Sequence, residues 1–271
     1  MKIGLVQTRT PATPETARDH VLPLVREAAA AGAQLIATPE GTNLLQRDGE
    51  KLAPLLRPLE EDLVVQALRA AARELEVTIL MGSALVRRAD GKAANRQALI
   101  SPAGEIVATY DKLHMFDVDL PTGETARESA TYEPGDRAVV AEAGGARLGL
   151  SICYDVRFPA LYRALALAGA EVMTVPAAFT RPTGLAHWEV LLRARAIETG
   201  SFVLAPAQGG FHEDGRGTWG RSMAIGPWGE VLAHLDHDEP AVLLAELDLS
   251  AAAKARQSIP ALINARAFQG P

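Results

Sequence analysis

The sequence has a single cysteine, few aromatic residues and no long apolar run. With Cys153 alone, an internal disulfide framework is excluded and nothing indicates secretion. No apolar stretch is long enough to span a bilayer, and residues 1–11 become polar too early for a signal peptide. A formal net charge of −6 argues against nucleic-acid and anionic-membrane partners. These features predict a soluble, cytoplasmic, globular protein.

Sequence patterns typical of metal and phosphate sites are also missing. The sequence contains no HExxH motif and no pair of cysteines, which are common sources of zinc ligands. The glycine pairs at 144–145 and 209–210 fit turns, and no GKS or GKT sequence indicates a phosphate-binding loop. The sequence therefore predicts neither a metal nor a cofactor.

Strand and helix patterns alternate over the first and middle parts of the chain. Apolar β-branched segments are followed by amphipathic helical segments, and strand pairs with short turns interrupt them. This mixture predicts an α/β fold of layered sheets covered by helices. The 271 residues can bury a full core and contain no linker or repeat, so residues 1–271 are expected to form a single domain.

Two stretches lack this regular pattern. Residues 43–58 are mixed in charge and predict a loop over a site. Residues 111–136 have no clear periodicity, but they contain too many apolar and aromatic side chains for a disordered segment. Because long irregular stretches inside compact domains are usually functional, both are expected to lie near a site.

Cys153 lies between a predicted strand and a predicted helix. Residues 147–152 are mostly apolar, and residues 158–168 have helical spacing, with Pro159 suited to the first turn and Gly169 to the stop. At such an elbow a nucleophile is exposed on one side, and nearby backbone N–H groups favour negative charge. Position alone leaves two interpretations, a reactive thiol or a small buried apolar side chain.

Glu40 and Lys112 each follow an apolar strand, as Cys153 does. Either charge alone fits a solvated loop, but together the three place a carboxylate, an ammonium and a thiol at strand ends. A thiol nucleophile needs a base, a donor for the oxyanion and a proton for the leaving group. Glu40 can serve both proton steps if burial raises its pKa. Lys112 and the backbone N–H of Tyr154 suit the oxyanion.

Histidines offer a competing hypothesis, because His114 or His187 could pair with Cys153 as its base. His187 directly precedes Trp188 and Glu189 near a predicted helix start. That position favours a structural or substrate-orienting role.

Three segments resemble motifs of the nitrilase superfamily of carbon–nitrogen hydrolases. They are Pro-Glu at 39–40, Asp-Lys-Leu-His at 111–114 and Ser-Ile-Cys-Tyr-Asp-Val-Arg-Phe-Pro at 151–159, in the family's order. The similarity continues through residues 176–179, 184–189, 193–198 and 227–230, and so covers nearly the whole chain. The resemblance implies a four-layer α-β-β-α sandwich that dimerises through helices near the elbow, as a homodimer or a higher homo-oligomer.

The resemblance also implies a Glu-Lys-Cys triad. It assigns Cys153 as the nucleophile, Glu40 as general base and acid, and Lys112 as the stabiliser of the oxyanion. Glu128 matches a second glutamate that assists many members by orienting the lysine and the substrate, although a simple loop charge is the alternative. The implied partner is a small-molecule amide, hydrolysed without a cofactor or metal.

Within the superfamily, the chain resembles the Nit-type amidases, which act on amides of α-keto acids. Residues 45–48, 187–199 and 207–212 favour deaminated glutathione, which is cleaved to α-ketoglutarate and cysteinylglycine, over the ω-amide α-ketoglutaramate. The match departs at Arg221 and in residues 211–217, where substrate choice is set. A nitrilase, a carbamoylase and an inactive scaffold are the remaining alternatives.

The α-keto acid end of such a substrate requires a cation. Arg157, Arg181 and Arg195 are candidates, and the sequence does not choose among them, because arginines often have packing roles in helices.

Overall fold

The computed structural model describes residues 1–121 and 123–270, and this part of the chain has sixteen strands and seven α-helices. In chain order the strands are β1 (Lys2–Gln7), β2 (Leu35–Ala37), β3 (Thr78–Arg87), β4 (Ala93–Ile100), β5 (Ile106–Asp111), β6 (Asp117–Asp119), β7 (Thr125–Arg127), β8 (Val140–Ala143), β9 (Ala146–Gly149), β10 (Val172–Thr174), β11 (Phe202–Ala205), β12 (Gly209–Phe211), β13 (Gly217–Trp219), β14 (Met223–Ile225), β15 (Val231–His234) and β16 (Ala241–Glu246). The helices are α1 (Pro14–Ala30), α2 (Gly49–Leu52), α3 (Leu63–Leu75), α4 (Pro159–Leu167), α5 (Arg181–Thr199), α6 (Ser250–Ser258) and α7 (Ala261–Asn264). Short 3₁₀ turns form at Leu59–Glu61, Glu128–Ala130 and Cys153–Arg157.

Two mixed sheets form the centre of the molecule. Their strand orders are β16-β1-β2-β3-β4-β5 and β15-β14-β11-β10-β9-β8. Each sheet has three adjacent parallel strands, β1-β2-β3 in one and β9-β10-β11 in the other, with antiparallel strands on both sides. Because parallel strands end at the same edge, segments that follow β2, β9 and β10 can converge there.

Side chains alternate between two apolar layers along each strand. In β1, Leu5 belongs to the core between the sheets, which it shares with Leu204 of β11, whereas Val6 packs beneath α1 and α3. Helices α1 and α3 contact each other and the first sheet, while α4 and α5 contact the second sheet. The resulting order of helix, sheet, sheet and helix is the four-layer α-β-β-α sandwich that the family resemblance implies.

Buried glutamine side chains connect the two sheets near their carboxyl edges. The Oε1 atom of Gln208, which follows β11, accepts hydrogen bonds from Thr8 Oγ1 at 2.9 Å and from the Thr10 backbone at 3.0 Å. Its Nε2 atom donates to the backbone carbonyl of Glu40 at 2.9 Å. Gln7 of β1 similarly accepts a bond from the Ser222 backbone at 2.9 Å. These bonds fix the loop after β2 relative to the second sheet.

Several local predictions can be compared with the structure directly. Helix α4 begins at Pro159, and Gly169 follows it with a φ of +90°, which glycine adopts without strain. Residues 111–136, predicted to be irregular, contain the β6–β7 hairpin and the turn Glu128–Ala130. No helix within residues 1–121 and 123–270 is long and apolar enough to cross a membrane.

Candidate active site

Glu40 lies on the loop after β2, and its side chain is buried between the two sheets. Its Oε1 atom accepts hydrogen bonds from Asn95 Nδ2 at 2.8 Å and from Lys112 Nζ at 2.9 Å. Its Oε2 atom accepts the backbone N–H of Ala178 at 2.8 Å. With its carbonyl also held by Gln208, Glu40 is fixed at both its backbone and its carboxylate.

Lys112 directly follows β5, and only 2% of its surface is exposed. Its Nζ atom lies 2.9 Å from Oε1 of Glu40 and 2.8 Å from Oε2 of Glu128. Glu128 begins the turn Glu128–Ala130 and also accepts the Phe116 backbone N–H at 2.6 Å. A buried ammonium therefore bridges two carboxylates, and Glu128 is held in place by the segment that the sequence shows only as irregular.

Cys153 begins the 3₁₀ turn Cys153–Arg157, which leads into α4. Its φ of +49° is rare for a residue with a side chain, and such conformations cluster at functional sites. Its backbone N–H donates to the carbonyl of Pro176 at 2.9 Å. Tyr154 is the next residue, so its N–H belongs to the first turn, where helix geometry supplies no acceptor. The structure thus has the strand–elbow–helix arrangement expected around the thiol.

The three polar groups set one another's protonation states. Burial raises the pKa of the Cys153 thiol, and the Glu40 carboxylate raises it further. Burial alone would lower the pKa of Lys112, but Glu128 and Glu40 hold it well above its usual value. The resting site therefore contains a thiol and an ammonium, with the thiol donating a hydrogen bond to the carboxylate of Glu40.

Glu40 corrects one expectation from the sequence. Burial does push the pKa of this carboxyl upward, but the charge of Lys112 and the hydrogen bonds donated to the carboxylate outweigh it. The pKa of Glu40 is consequently lowered, not raised. The side chain is ionised at rest, which makes it ready to accept the proton of Cys153.

Asn95 is a site residue that sequence reasoning missed. It lies in β4, is 3% exposed, and donates from Nδ2 to Glu40 at 2.8 Å and to Glu128 at 3.3 Å. Its Oδ1 atom is buried without a hydrogen-bond partner among the described residues. A strand asparagine carries no motif, and only the fold brings it between two glutamates that lie 88 positions apart in sequence numbering.

The two candidate histidines do not join this cluster. The Nδ1 atom of His114 lies 2.7 Å from Oδ1 of Asp155, and its ring stacks on Phe158 with the centroids 3.6 Å apart. His187 is exposed and its Nδ1 atom lies 3.2 Å from Nη1 of Arg157. Among the described residues that line the cavity next to Cys153, none is a histidine.

A cavity of about 600 Å³ opens above Cys153, Glu40 and Lys112. Of the arginines proposed from the sequence, Arg157 lines it, stacked near the ring of Phe179 at 5.3 Å. The others lie elsewhere: Arg195 is buried against the carbonyl of Val156, and Arg181 pairs with Asp238. Three further arginines that line the cavity were not singled out from the sequence, namely Arg47, Arg127 and Arg216.

Comparisons with known proteins identify the family of the chain. A family model described as carbon-nitrogen hydrolase matches residues 2–257. A deaminated glutathione amidase from Synechocystis sp. strain PCC 6803 is 44% identical over 237 residues, which is 85% of this chain and 85% of that protein.

Solved structures extend the similarity to the fold. The Caenorhabditis elegans NitFhit protein matches with a TM-score of 0.90 and 31% identity over 98% of this chain, which spans only 65% of that protein. An amidase from Nesterenkonia sp. AN1 matches with a TM-score of 0.80 and 27% identity over 96% of this chain and 98% of that one. It was solved as a glutamate-to-glutamine mutant with acrylamide added at its active-site cysteine. The chain is thus a member of the carbon–nitrogen hydrolase family, the nitrilase superfamily, and hydrolyses carbon–nitrogen bonds other than peptide bonds.

Proposed function

We propose that this hydrolase is a thiol amidase whose substrate is deaminated glutathione. The observation that carries the chemistry is the contact of three buried groups beneath one cavity: the Cys153 thiol, the Glu40 carboxylate and the Lys112 ammonium. The cysteine modified in the Nesterenkonia amidase supports a nucleophilic role for Cys153, the one cysteine of this chain.

In the first half-reaction, Glu40 accepts the Cys153 proton while the sulfur attacks the amide carbonyl. Lys112 and the N–H of Tyr154 donate to the oxyanion of the tetrahedral intermediate, where fixed donors contribute most because the charge develops there. Glu40 then returns the proton to the nitrogen, the C–N bond breaks, and the amine leaves a thioester on Cys153. The ionised resting state of Glu40 suits the first of these steps.

In the second half-reaction, the same carboxylate takes a proton from a water molecule that attacks the thioester. The C–S bond breaks, the sulfur recovers its proton from Glu40, and the carboxylic acid product is released. Glu128 accepts hydrogen bonds from Nζ of Lys112 and holds it in place, and Lys112 takes no part in proton transfer. With deaminated glutathione the products are cysteinylglycine and α-ketoglutarate.

The substrate assignment has two supports. Relatives named deaminated glutathione amidase, from bacteria and mammals, are 40–44% identical to this chain over most of their length. A cavity of about 600 Å³ also lies within the range that encloses ligands much larger than a five-carbon amide. Arg157, which lines the cavity four residues after Cys153, binds the α-keto acid carboxylate.

The decisive experiment compares kcat/KM for deaminated glutathione and for α-ketoglutaramate. We expect the first to be hydrolysed more efficiently, and a thioester of the acyl part to be detected on Cys153 by intact mass. A higher kcat/KM for α-ketoglutaramate would make the protein an ω-amidase. Absence of turnover and of any adduct with both amides would favour an inactive scaffold.

We also propose that residues 1–271 form one cytoplasmic domain that assembles as a homodimer. Apolar side chains on α5 and after it are left exposed, with Leu185 at 75%, Val190 at 68% and Trp228 at 59%. Large exposed apolar patches commonly mark a protein interface, and we infer that these side chains belong to one. Sedimentation at micromolar concentration should give twice the mass of one chain, and Val190→Asp should reduce it to a single chain.

A further inference from the structure

The cavity wall opposite the elbow carries two arginines that the proposed reaction does not use. Arg47 lies on the segment before α2, and Arg216 directly precedes β13 in the β12–β13 hairpin. These segments are more than 160 residues apart in sequence, yet both reach the same cavity. The presence of both arginines in one cavity therefore depends on tertiary structure and does not arise from a local run of basic residues.

Asp214 holds the two segments together. Its Oδ2 atom accepts the Arg47 backbone N–H at 3.1 Å and Nε of Arg216 at 2.7 Å, and its side chain is fully buried. Its Oδ1 atom accepts the Arg216 backbone N–H at 3.1 Å. One carboxylate thus fixes the backbones of both segments and one edge of one guanidinium.

The guanidinium of Arg47 lies beside Gly215. A Cβ atom at that glycine would come within 3.1 Å of Nη2 of Arg47, and the glycine has a φ of +82°. The carboxylate of Asp214 bonds to the guanidinium of Arg216 but only to the backbone N–H of Arg47, so it balances one of the two positive charges on this wall. The nearby carboxylate of Asp48 is engaged, because it caps α2 and pairs with Lys51.

We propose that Arg47 and Arg216 form a second anion subsite, which binds a carboxylate carried by the amine part of the substrate. The inference rests on the proposed function, because deaminated glutathione has one carboxylate on its acyl part and another at the glycine end of its leaving group. Arg157 takes the first. Arg47 is exposed at the cavity mouth, through which the amine must depart before water enters.

The subsite makes the enzyme select amides whose nitrogen bears an acidic, peptide-like substituent. An amide that releases ammonia has no group to reach Arg47 and Arg216. Charge-assisted hydrogen bonds to a carboxylate account for about tenfold to hundredfold in affinity when one partner is removed. The same two residues therefore separate deaminated glutathione from the ω-amide, which carries only the acyl carboxylate.

The test combines an enzyme change with a substrate change. Arg47→Gln should lower kcat/KM for deaminated glutathione about tenfold or more, mainly through KM, and leave the value for α-ketoglutaramate within about twofold. Deaminated glutathione with its glycine carboxylate converted to an amide should be a poorer substrate for the wild type by the same factor. Arg47→Gln should not distinguish that analogue from the parent acid.

Arg127→Gln is the matched control, because Arg127 lines the same cavity but is paired through Nη2 with both carboxylate oxygens of Asp119. It should affect both substrates equally. If the Arg47 variant loses the same factor on both substrates, or still discriminates against the amidated analogue as strongly as the wild type, the subsite is wrong.

Measuring how substrate and analogue bind to Cys153→Ala tests the subsite independently of the proposed function. Calorimetry with that variant should show that deaminated glutathione binds more tightly than its amidated analogue, and that adding Arg47→Gln removes the difference. Wild type that fails to hydrolyse deaminated glutathione overturns the proposed function, whereas equal binding of acid and amide overturns the subsite.

Discussion

The reaction centre and the cavity rim of this protein are built in opposite ways. The rim is the part of the cavity wall that carries Arg47 and Arg216. Glu40, Lys112 and Cys153 follow strands of the two sheets and are at most 7% exposed, and Glu40 bonds to both of the others. Arg47 and Arg216 lie on an exposed segment and on a hairpin, and a single aspartate joins them. The residues that we propose for the chemistry are therefore fixed by the packing of the sheets. Those that we propose for substrate choice lie on loops, which can vary without disturbing the reaction centre.

Cys153→Ala should give the largest effect on activity. It should also show that the reaction centre can be disabled without destabilising the fold. Loss of the nucleophile should reduce kcat by about 10⁶-fold. The melting temperature should change little, because alanine fills the elbow tolerably. Purified Cys153→Ala that hydrolyses amide at the wild-type rate would contradict a covalent mechanism.

Glu40→Gln should be next in size. A general acid–base group contributes ~10²–10⁴ to a step, and in the proposed mechanism Glu40 serves both half-reactions. Kinetics on the same substrate should show smaller losses for His114→Asn and His187→Asn, whose rings contact Asp155 and Arg157 respectively. A histidine variant more impaired than Glu40→Gln, with an unchanged circular dichroism spectrum, would favour a Cys–His pair.

Lys112→Met keeps the side-chain stem and removes the charge. Because an oxyanion donor acts in the transition state, its loss should lower kcat by about 10²–10³ with a smaller change in KM. Steady-state kinetics above neutral pH is the suitable measurement, since without the ammonium the pKa of Glu40 rises and the base must stay ionised. A near-normal kcat with a greatly raised KM would show that Lys112 anchors the substrate instead.

Asn95→Leu should produce the smallest and most specific change. Asn95 donates to the ionised form of Glu40 and so helps to lower its pKa. Without this donor the pKa of Glu40 rises, and the acid limb of the kcat/KM profile moves to higher pH. Activity on the plateau above that limb should be largely retained.

Gln97→Leu provides a matched control for this shift. Gln97 is two residues along the same strand, is fully buried, and also has a side-chain oxygen without a partner among the described residues, but it bonds to Thr174 rather than to Glu40. Its substitution should leave the acid limb in place. An unmoved limb in Asn95→Leu, or an equal shift in both variants, would remove Asn95 from the control of Glu40.

The sequence allows much of the centre to be predicted, because each of its residues has a local signal. Each residue of the triad Glu40, Lys112 and Cys153 follows a strand that the apolar pattern predicts. Glu128 matches a short motif. Their ionisation could not be predicted in the same way, since the pKa of Glu40 depends on a lysine and an asparagine that arrive from other strands. Burial alone predicts a raised pKa for Glu40, because the sequence does not show that Lys112 and Asn95 bond to its carboxylate.

For the rim, the sequence marked the two segments that bear on substrate choice, residues 45–48 and 211–217, but it did not single out Arg47 or Arg216. The proximity of these arginines depends on the fold of a hairpin more than 160 residues away. Among the arginines proposed from the sequence, Arg181 forms an ion pair with Asp238 and Arg195 donates to the carbonyl of Val156. A side chain whose role depends on contacts with residues distant in sequence produces no periodic pattern, so its role cannot be predicted from the sequence alone.

The left-handed backbone at Cys153 has a consequence for how this protein can evolve. A φ of +49° is one that glycine adopts freely and other residues adopt at a cost of order 1–3 kcal/mol. Selection for thermal stability alone would favour glycine at position 153, and that change would remove the sulfur. The position most constrained by activity is therefore one where stability and activity conflict, so a more heat-resistant version of this enzyme must gain its stability elsewhere.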